Sequence, residues 1–278
     1  MSFLQAVVLA VVQGATEFLP VSSSGHLVIV PALLGWNPAP MEYAIVVHFG
    51  TLVAVVAYYR SDLFAILKSL FSFGGKKDTE QVLGNTDGRY LALLILVASV
   101  PAAIVGLTLE DHIDHLFTEA GTVPVGIGLL LTASLLYVAD RMVGTREAGE
   151  LTHFDALLVG VAQAVAILPG VSRSGSCISG SLWRGLSRDW APRFAFLMSI
   201  PPIAGAFALA IRKLANSGDL LEQMPLYLTG MAVSAVVGYV AIYGVVRSVQ
   251  HGGLFVRFGI YCLVLGLVGI LGGAFGWI

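Results

Sequence analysis

The most constraining feature of this sequence is a series of apolar runs of about 20 residues, separated by short polar segments. A helix of about 20 residues spans the ~30 Å hydrocarbon core of a bilayer. Only 12% of the 278 residues are charged, about half the share of a soluble domain. We find no segments of alternating polarity of the kind that form a membrane β-barrel. The sequence therefore predicts an all-α polytopic membrane protein.

The apolar runs are of two kinds. Six are continuous and predict full spans, over residues 43–59, 90–109, 123–139, 190–211, 226–246 and 254–277. Two others, about 3–34 and about 153–186, are broken by Pro20 and by Pro169 with Gly170, and serines follow each break. Proline ends a helix and serine caps the next one. Because protein or a water-filled cavity must satisfy such a break at membrane depth, we interpret both segments as re-entrant helical hairpins.

The two broken segments form an internal repeat. Gln13, Val21, Ser22, Ser24 and Gly25 recur 150 positions later as Gln163, Val171, Ser172, Ser174 and Gly175. Three spans separate the hairpins, and an odd number inverts the second hairpin relative to the first. The chain is thus predicted to be a single membrane domain, 1–278, with inverted repeats of about 1–140 and 151–278. Broken helices of such repeats typically meet near the midplane and form a substrate site.

Lysines and arginines predict the orientation. Segment 60–89 carries five of them and is expected in the cytoplasm by the positive-inside rule, as are Arg141 and Arg146. Segment 110–119 has none and is expected outside, together with both termini. Arg212 and Lys213 oppose this assignment. The net charge of −2 gives no indication of a nucleic-acid partner, and Cys177 and Cys262 form no metal-spaced cluster.

Polar residues of the first hairpin are candidates for chemistry. Gln13 and Glu17 are four residues apart and share one face of a helix. Ser22, Ser23 and Ser24 lie where the second helix begins, which is a favourable place for an anion such as phosphate. His26 follows Ser23 by three residues, so its imidazole could act as the base for that hydroxyl.

The second hairpin supplies a cation. Arg173 lies between Ser172 and Ser174 at another expected helix start, and a guanidinium suits phosphate oxygens. Together the hairpins predict phosphoryl transfer from a substrate in the bilayer, with Ser23 as nucleophile, His26 as its base and Arg173 holding the developing charge. Glu17 would position a metal or Arg173.

Other interpretations remain open from the residues alone. The serines and glycines could be only capping and turn residues, and Arg173 could extend to the membrane surface. A buried Glu17 would also suit an ion-coupled transporter, so a transporter or flippase of a lipid substrate is the alternative function. The remaining histidines are expected at interfaces or in loops: His48, His112, His115, His153 and His251.

Two motifs resemble those of the undecaprenyl-diphosphate phosphatase family, the bacitracin-resistance membrane proteins. They are QGATEFLPVSSSGH at 13–26 and LPGVSRSGSCISG at 168–180, and the resemblance extends over essentially the whole chain. It implies hydrolysis of undecaprenyl diphosphate, which recycles the carrier for peptidoglycan synthesis and confers bacitracin resistance. It also implies the catalytic residues Glu17, Ser23, His26 and Arg173, and substrate binding by Gln13, Ser22, Ser24, Gly25, Gly170, Ser172 and Ser174.

The resemblance has further implications and two departures. It implies a divalent cation, Mg²⁺ or Ca²⁺, with Glu17 as a ligand, and a site open to the outer side of the bacterial plasma membrane. The expected partners are the polyprenyl diphosphate and the bilayer, and a homodimer is a further candidate. Cys177 replaces the threonine that closes the second motif, and Gln13 replaces the commoner glutamate. A single carboxylate is a small ligand set for a divalent cation.

Overall fold

The computed structural model describes residues 1–71, 82–84, 86–109, 121–215, 220–250 and 253–277, apart from the side chains of 210, 212–215 and 220–222. Within these ranges every element of regular secondary structure is helical. We number the α-helices α1 Phe3–Phe18, α2 Ser23–Leu33, α3 Met41–Tyr58, α4 Arg60–Phe71, α5 Gly88–Thr108, α6 Thr122–Ala139, α7 His153–Val165, α8 Arg173–Trp183, α9 Trp190–Met198, α10 Ile200–Ala215, α11 Leu220–Gln250 and α12 Leu254–Ala274.

The number and position of the predicted spans are confirmed. Six stretches of the described chain are long and apolar enough to cross a membrane. They are Met41–Tyr58, Gly88–Thr108, Thr122–Ala139, Trp190–Leu209, Gln223–Gln250 and Leu254–Ala274. The fourth consists of α9 followed by the first part of α10, and α11 is longer at both ends than the predicted span. The chain is therefore a multi-pass helical membrane protein.

One helix was missed. We interpreted 60–89 as a basic loop, but α4 occupies Arg60–Phe71. Its buried residues, Asp62, Ala65 and Ile66, have the i, i+3, i+4 spacing of one helix face. Asp62 forms an ion pair with Arg193 of α9, so the face that binds α4 to the bundle is partly charged. An apolar pattern in the sequence alone could therefore not reveal helix α4.

Each broken segment is a pair of short helices, as predicted. Residues 19–22 join α1 to α2, and residues 166–172 join α7 to α8. The caps are equivalent, because the Ser22 hydroxyl accepts from the Gly25 amide at 3.2 Å and the Ser172 hydroxyl from the Gly175 amide at 3.1 Å. Entry of the two hairpins from opposite sides of the bilayer stays a prediction.

Helices of each half of the chain pack against helices of the other half. α1 packs on α11 of the second half, α7 packs on α5 of the first half, and α6 packs on α12. The hairpin tips touch: the Ser174 hydroxyl donates to the Leu19 carbonyl at 2.9 Å. Such reciprocal pairing is expected for a two-fold repeat. The assignment of inverted repeats at 1–140 and 151–278 stays a prediction.

Ion pairs hold together the end of the bundle where α3 ends and α5 begins. Asp155, in the first turn of α7, contacts Arg146 at 3.1 Å and Arg184 at 2.6 Å. Burial acts to raise the pKa of Asp155, but hydrogen bonds from Thr152, Arg184 and Arg146 outweigh it and lower the pKa to about 2. Arg188 donates to the Asp140 carbonyl at 2.8 Å. These contacts fix the second hairpin at its base.

Candidate active site

Glu17, near the end of α1, is the centre of the polar cluster at the hairpin tips. Its Oε2 accepts from the Gln13 amide at 2.7 Å and from the Ser23 hydroxyl at 2.5 Å, and its Oε1 pairs with the Arg173 guanidinium. The spacing of Gln13 and Glu17 therefore gives the shared helix face that was expected. A carboxylate this buried, 5% exposed, is tolerated because it is paired and hydrogen-bonded.

Ser22, at the first tip, has an unusual backbone conformation. Its φ is 69°, and among the described residues no other non-glycine residue has a positive φ. Such a conformation costs on the order of 1–3 kcal/mol and persists only where surrounding contacts fix it. Here the Ser22 carbonyl accepts from His26 Nδ1 at 2.7 Å, in addition to the cap on Gly25. The bend places Ser23 at the start of α2 with its hydroxyl on Glu17.

Both ring nitrogens of His26 have a hydrogen-bond partner. Since a carbonyl can only accept, Nδ1 carries a hydrogen, and Nε2 of the neutral ring accepts from the Tyr261 hydroxyl at 2.8 Å. We expected this imidazole to contact the Ser23 hydroxyl and to act as its base. It contacts the carbonyl of Ser22 instead, because residue 26 is one helical turn beyond residue 22, and the Ser23 hydroxyl has Glu17 as its acceptor.

The second tip is held by α6. Gly170 has a φ of 86°, and a Cβ there would lie 2.0 Å from the Val125 carbonyl oxygen, so this position requires glycine. The Thr132 hydroxyl lies 3.1 Å from the Gly170 carbonyl oxygen and accepts from the Ser172 amide at 2.9 Å. The tip therefore presents Arg173, the first residue of α8, towards Glu17.

The two tips form one site. Gly25 of α2 packs against the second tip, so closely that a Cβ on Gly25 would lie 3.3 Å from Gly170 Cα. The Ser24 hydroxyl lies 3.2 Å from that of Ser22, and Ser174 repeats this contact with Ser172, also at 3.2 Å. The helices that begin at Ser23 and Arg173 both direct their positive ends towards this region. The arrangement combines a hydroxyl, a carboxylate and a guanidinium at two helix starts, which suits a phosphate group.

Comparison with known proteins identifies the family. The pattern of the bacitracin resistance protein BacA family matches residues 6–268. The chain belongs to this family. An undecaprenyl-diphosphatase of Thermomicrobium roseum is 41% identical, with 98% of each chain covered. Proteins of the same name from Carboxydothermus hydrogenoformans and Methanosphaera stadtmanae are 38% and 36% identical, with 96% and 98% of each chain covered.

The structure adds two residues to the polar cluster of this BacA family member. His48 of α3 places Nε2 3.6 Å from Glu17 Oε2, and Tyr261 of α12 contacts His26. We expected His48 at an interface or in a loop. Neither residue belongs to a motif, and both come from spans that the sequence describes only as apolar. Their positions depend on how α3 and α12 pack against the hairpins.

The protein donors around Glu17 do not fit the divalent cation that the BacA resemblance implies. Within the described ranges no group of three or more His, Cys, Asp or Glu side chains lies close enough to hold a metal ion. Glu17 is a single carboxylate, and Arg173 already neutralises it. Divalent cations prefer several oxygen ligands that include carboxylates. Dependence on a divalent cation stays a prediction.

Proposed function

We propose that this protein hydrolyses undecaprenyl diphosphate to undecaprenyl phosphate and inorganic phosphate. The observation that supports the proposal best is the hydrogen bond from the Ser23 hydroxyl to Glu17, whose other oxygen pairs with Arg173. A hydroxyl, its base and a phosphate-binding cation are thereby in direct contact. The relatives described above are all named undecaprenyl-diphosphatase.

Glu17 and Arg173 neutralise each other before substrate binds. A diphosphate carries more negative charge than one carboxylate, so it draws the Arg173 guanidinium towards its oxygens, where bidentate hydrogen bonds form. Glu17 then loses its counter-ion, which makes it a stronger base towards Ser23. Substrate binding thus activates the nucleophile.

Ser23 attacks the terminal phosphorus. Its Oγ forms the new bond to phosphorus, the bond from that phosphorus to the bridging oxygen breaks, and the hydroxyl proton passes to Glu17 Oε2. Undecaprenyl phosphate leaves without needing a proton. Water then attacks the phosphoserine, both water protons leave with the inorganic phosphate as H₂PO₄⁻, and Ser23 Oγ recovers its proton from Glu17.

The base role is assigned here to Glu17 rather than to His26. Glu17 already accepts the hydrogen bond of the Ser23 hydroxyl, whereas the His26 nitrogens contact the Ser22 carbonyl and Tyr261. Arg173 and the amides at the two helix starts stabilise the charge that develops on phosphorus-bound oxygens. Gln13 keeps Glu17 Oε2 directed at Ser23.

The orientation follows from the distribution of charge. Arginines lie at or just beyond the ends of α3, α6 and α11, at Arg60, Arg141 and Arg247. Arg188 joins the ends of α6 and α11 through the carbonyls of Asp140 and Val249, and Arg193 pairs with Asp62 of α4. The positive-inside rule assigns this end of the bundle to the cytoplasm. As the family resemblance implies, we expect the site to open to the outer side of a bacterial plasma membrane, where the protein would recycle the carrier for peptidoglycan synthesis. A homodimer stays a prediction.

Phosphate release from undecaprenyl diphosphate by purified protein in detergent micelles tests the proposal. Hydrolysis without a membrane or a gradient would exclude a pure transporter of the lipid, an alternative that the relatives do not support. Ser23→Ala should lower kcat at least about 1,000-fold, because it removes the nucleophile. Ser134→Ala is the matched control, since that hydroxyl donates to a carbonyl of its own helix. Near-normal release by Ser23→Ala would contradict the nucleophile role.

A further inference from the structure

The two hairpin tips have equivalent caps, yet their backbones differ at the capping serine, as they do at Pro20 and Gly170, of which only Gly170 has a positive φ. Ser22 and Ser172 occupy equivalent positions and make equivalent bonds to Gly25 and Gly175. Ser172 has an ordinary extended conformation, with φ −73° and ψ 117°. Ser22 has φ 69° and ψ 93°. The shared capping bonds therefore do not require a positive φ, and something specific to the first tip must maintain it.

The specific contact is the imidazole of His26. Position 176 is its equivalent in the second repeat, and the Ser176 hydroxyl there has no hydrogen-bond partner. At the first tip His26 Nδ1 donates to the carbonyl of Ser22, in addition to the backbone bond from the His26 amide at 3.2 Å. The ring thus fixes the peptide group that joins Ser22 to Ser23.

Tyr261 in turn fixes the ring. Its hydroxyl lies 2.8 Å from His26 Nε2, and the two rings are nearly parallel, 9° apart, with centroids 5.7 Å from each other. By donating to Nε2 the hydroxyl selects the tautomer in which Nδ1 carries the hydrogen that bonds to Ser22. A neutral ring without this donor could place its hydrogen on Nε2, and the bond to the Ser22 carbonyl would be lost.

We propose that Tyr261 is a positioning residue, which acts through His26 and the Ser22 carbonyl to hold the Ser23 hydroxyl on Glu17. The inference rests on the proposed function and extends it to a residue of the last helix, in the other half of the chain. Tyr261 itself need not touch the reacting phosphorus. Its effect is on the orientation of the nucleophile, so it should change the rate of the chemical step more than the binding of substrate.

Tyr261→Phe tests the inference, because it removes the hydroxyl and keeps the ring. We expect kcat for phosphate release to fall about tenfold or more, since small displacements of a reacting group are costly, with KM within about twofold of the unsubstituted protein. Tyr243→Phe is the matched control: Tyr243 is an exposed tyrosine of α11 whose ring contacts Arg247. An unchanged kcat in Tyr261→Phe, or an equal loss in Tyr243→Phe, would overturn the inference.

A double-mutant comparison separates positioning from a general loss of structure. If Tyr261 acts through His26, Tyr261→Phe should cause no further loss of kcat in a His26→Ala background. Full additivity of the two losses would overturn the inference. Should the unsubstituted protein release no phosphate, the proposed function fails, and the rate at which a fluorophosphonate labels Ser23 becomes the measurement. Slower labelling of Tyr261→Phe would then support positioning, and equal labelling would overturn it.

Discussion

Arg173 and Glu17 illustrate how much of the site depends on single residues. Their types and motifs made both candidates from sequence, because a carboxylate and a guanidinium in apolar segments need partners. The sequence left open whether Glu17 positions a metal or Arg173, and the two residues are paired. It could not show that the Ser23 hydroxyl bonds to Glu17 rather than to His26. Spacing along a helix indicates which groups can meet, whereas the choice between them depends on the backbone of Ser22.

Replacement of Arg173 by lysine tests whether charge alone suffices. Lysine can pair with Glu17 but cannot present two parallel donors to a phosphate. We therefore expect Arg173→Lys to fold and to lose activity about 100-fold or more in kcat, comparable to the removal of one transition-state donor. Arg257→Lys, at an exposed arginine in the first turn of α12, should remain near normal. Full activity of Arg173→Lys would show that only the charge matters.

At the scale of elements, the helix breaks could be predicted and their geometry could not. Proline and serine mark both breaks in the sequence, and each break is present. The support comes from residues distant in sequence: Thr132 of α6 bonds both to Gly170 and to Ser172. Likewise α4 was missed, because Asp62 on its buried face has its partner on α9. Local sequence patterns indicate where helices start, whereas tertiary contacts determine which side chains the hairpin tips direct into the site.

Gly170→Ala tests the fit of the second tip against α6. The positive φ costs on the order of 1–3 kcal/mol for alanine, and the Cβ would lie 2.0 Å from the Val125 carbonyl oxygen, so the tip must shift. We expect a lower midpoint of thermal unfolding and a loss of phosphate release. Gly106→Ala is the control, because no atom lies within 4 Å of a Cβ there. Equal midpoints for the two variants would contradict this account of the tip.

At the scale of the whole molecule, the site exists only where the two halves of the chain meet. The first hairpin contributes Glu17, Ser23 and His26, and the second contributes the cation. The 150-residue register predicted that the hairpins are related, and the contact between Ser174 and Leu19 joins their tips. Reciprocal packing of α1 on α11 and of α7 on α5 then makes the position of each hairpin depend on the other half.

The orientation of this assembly in the membrane can be tested with introduced cysteines. Thr145→Cys lies at the end of the bundle that carries the arginines, and Asn37→Cys follows α2 at the opposite end; both positions are exposed. Native Cys177 and Cys262 are buried, so they should add little background. A membrane-impermeant maleimide applied to intact cells should label Asn37→Cys and label Thr145→Cys only after lysis. The reverse pattern would place the arginines outside and turn the proposed site towards the cytoplasm.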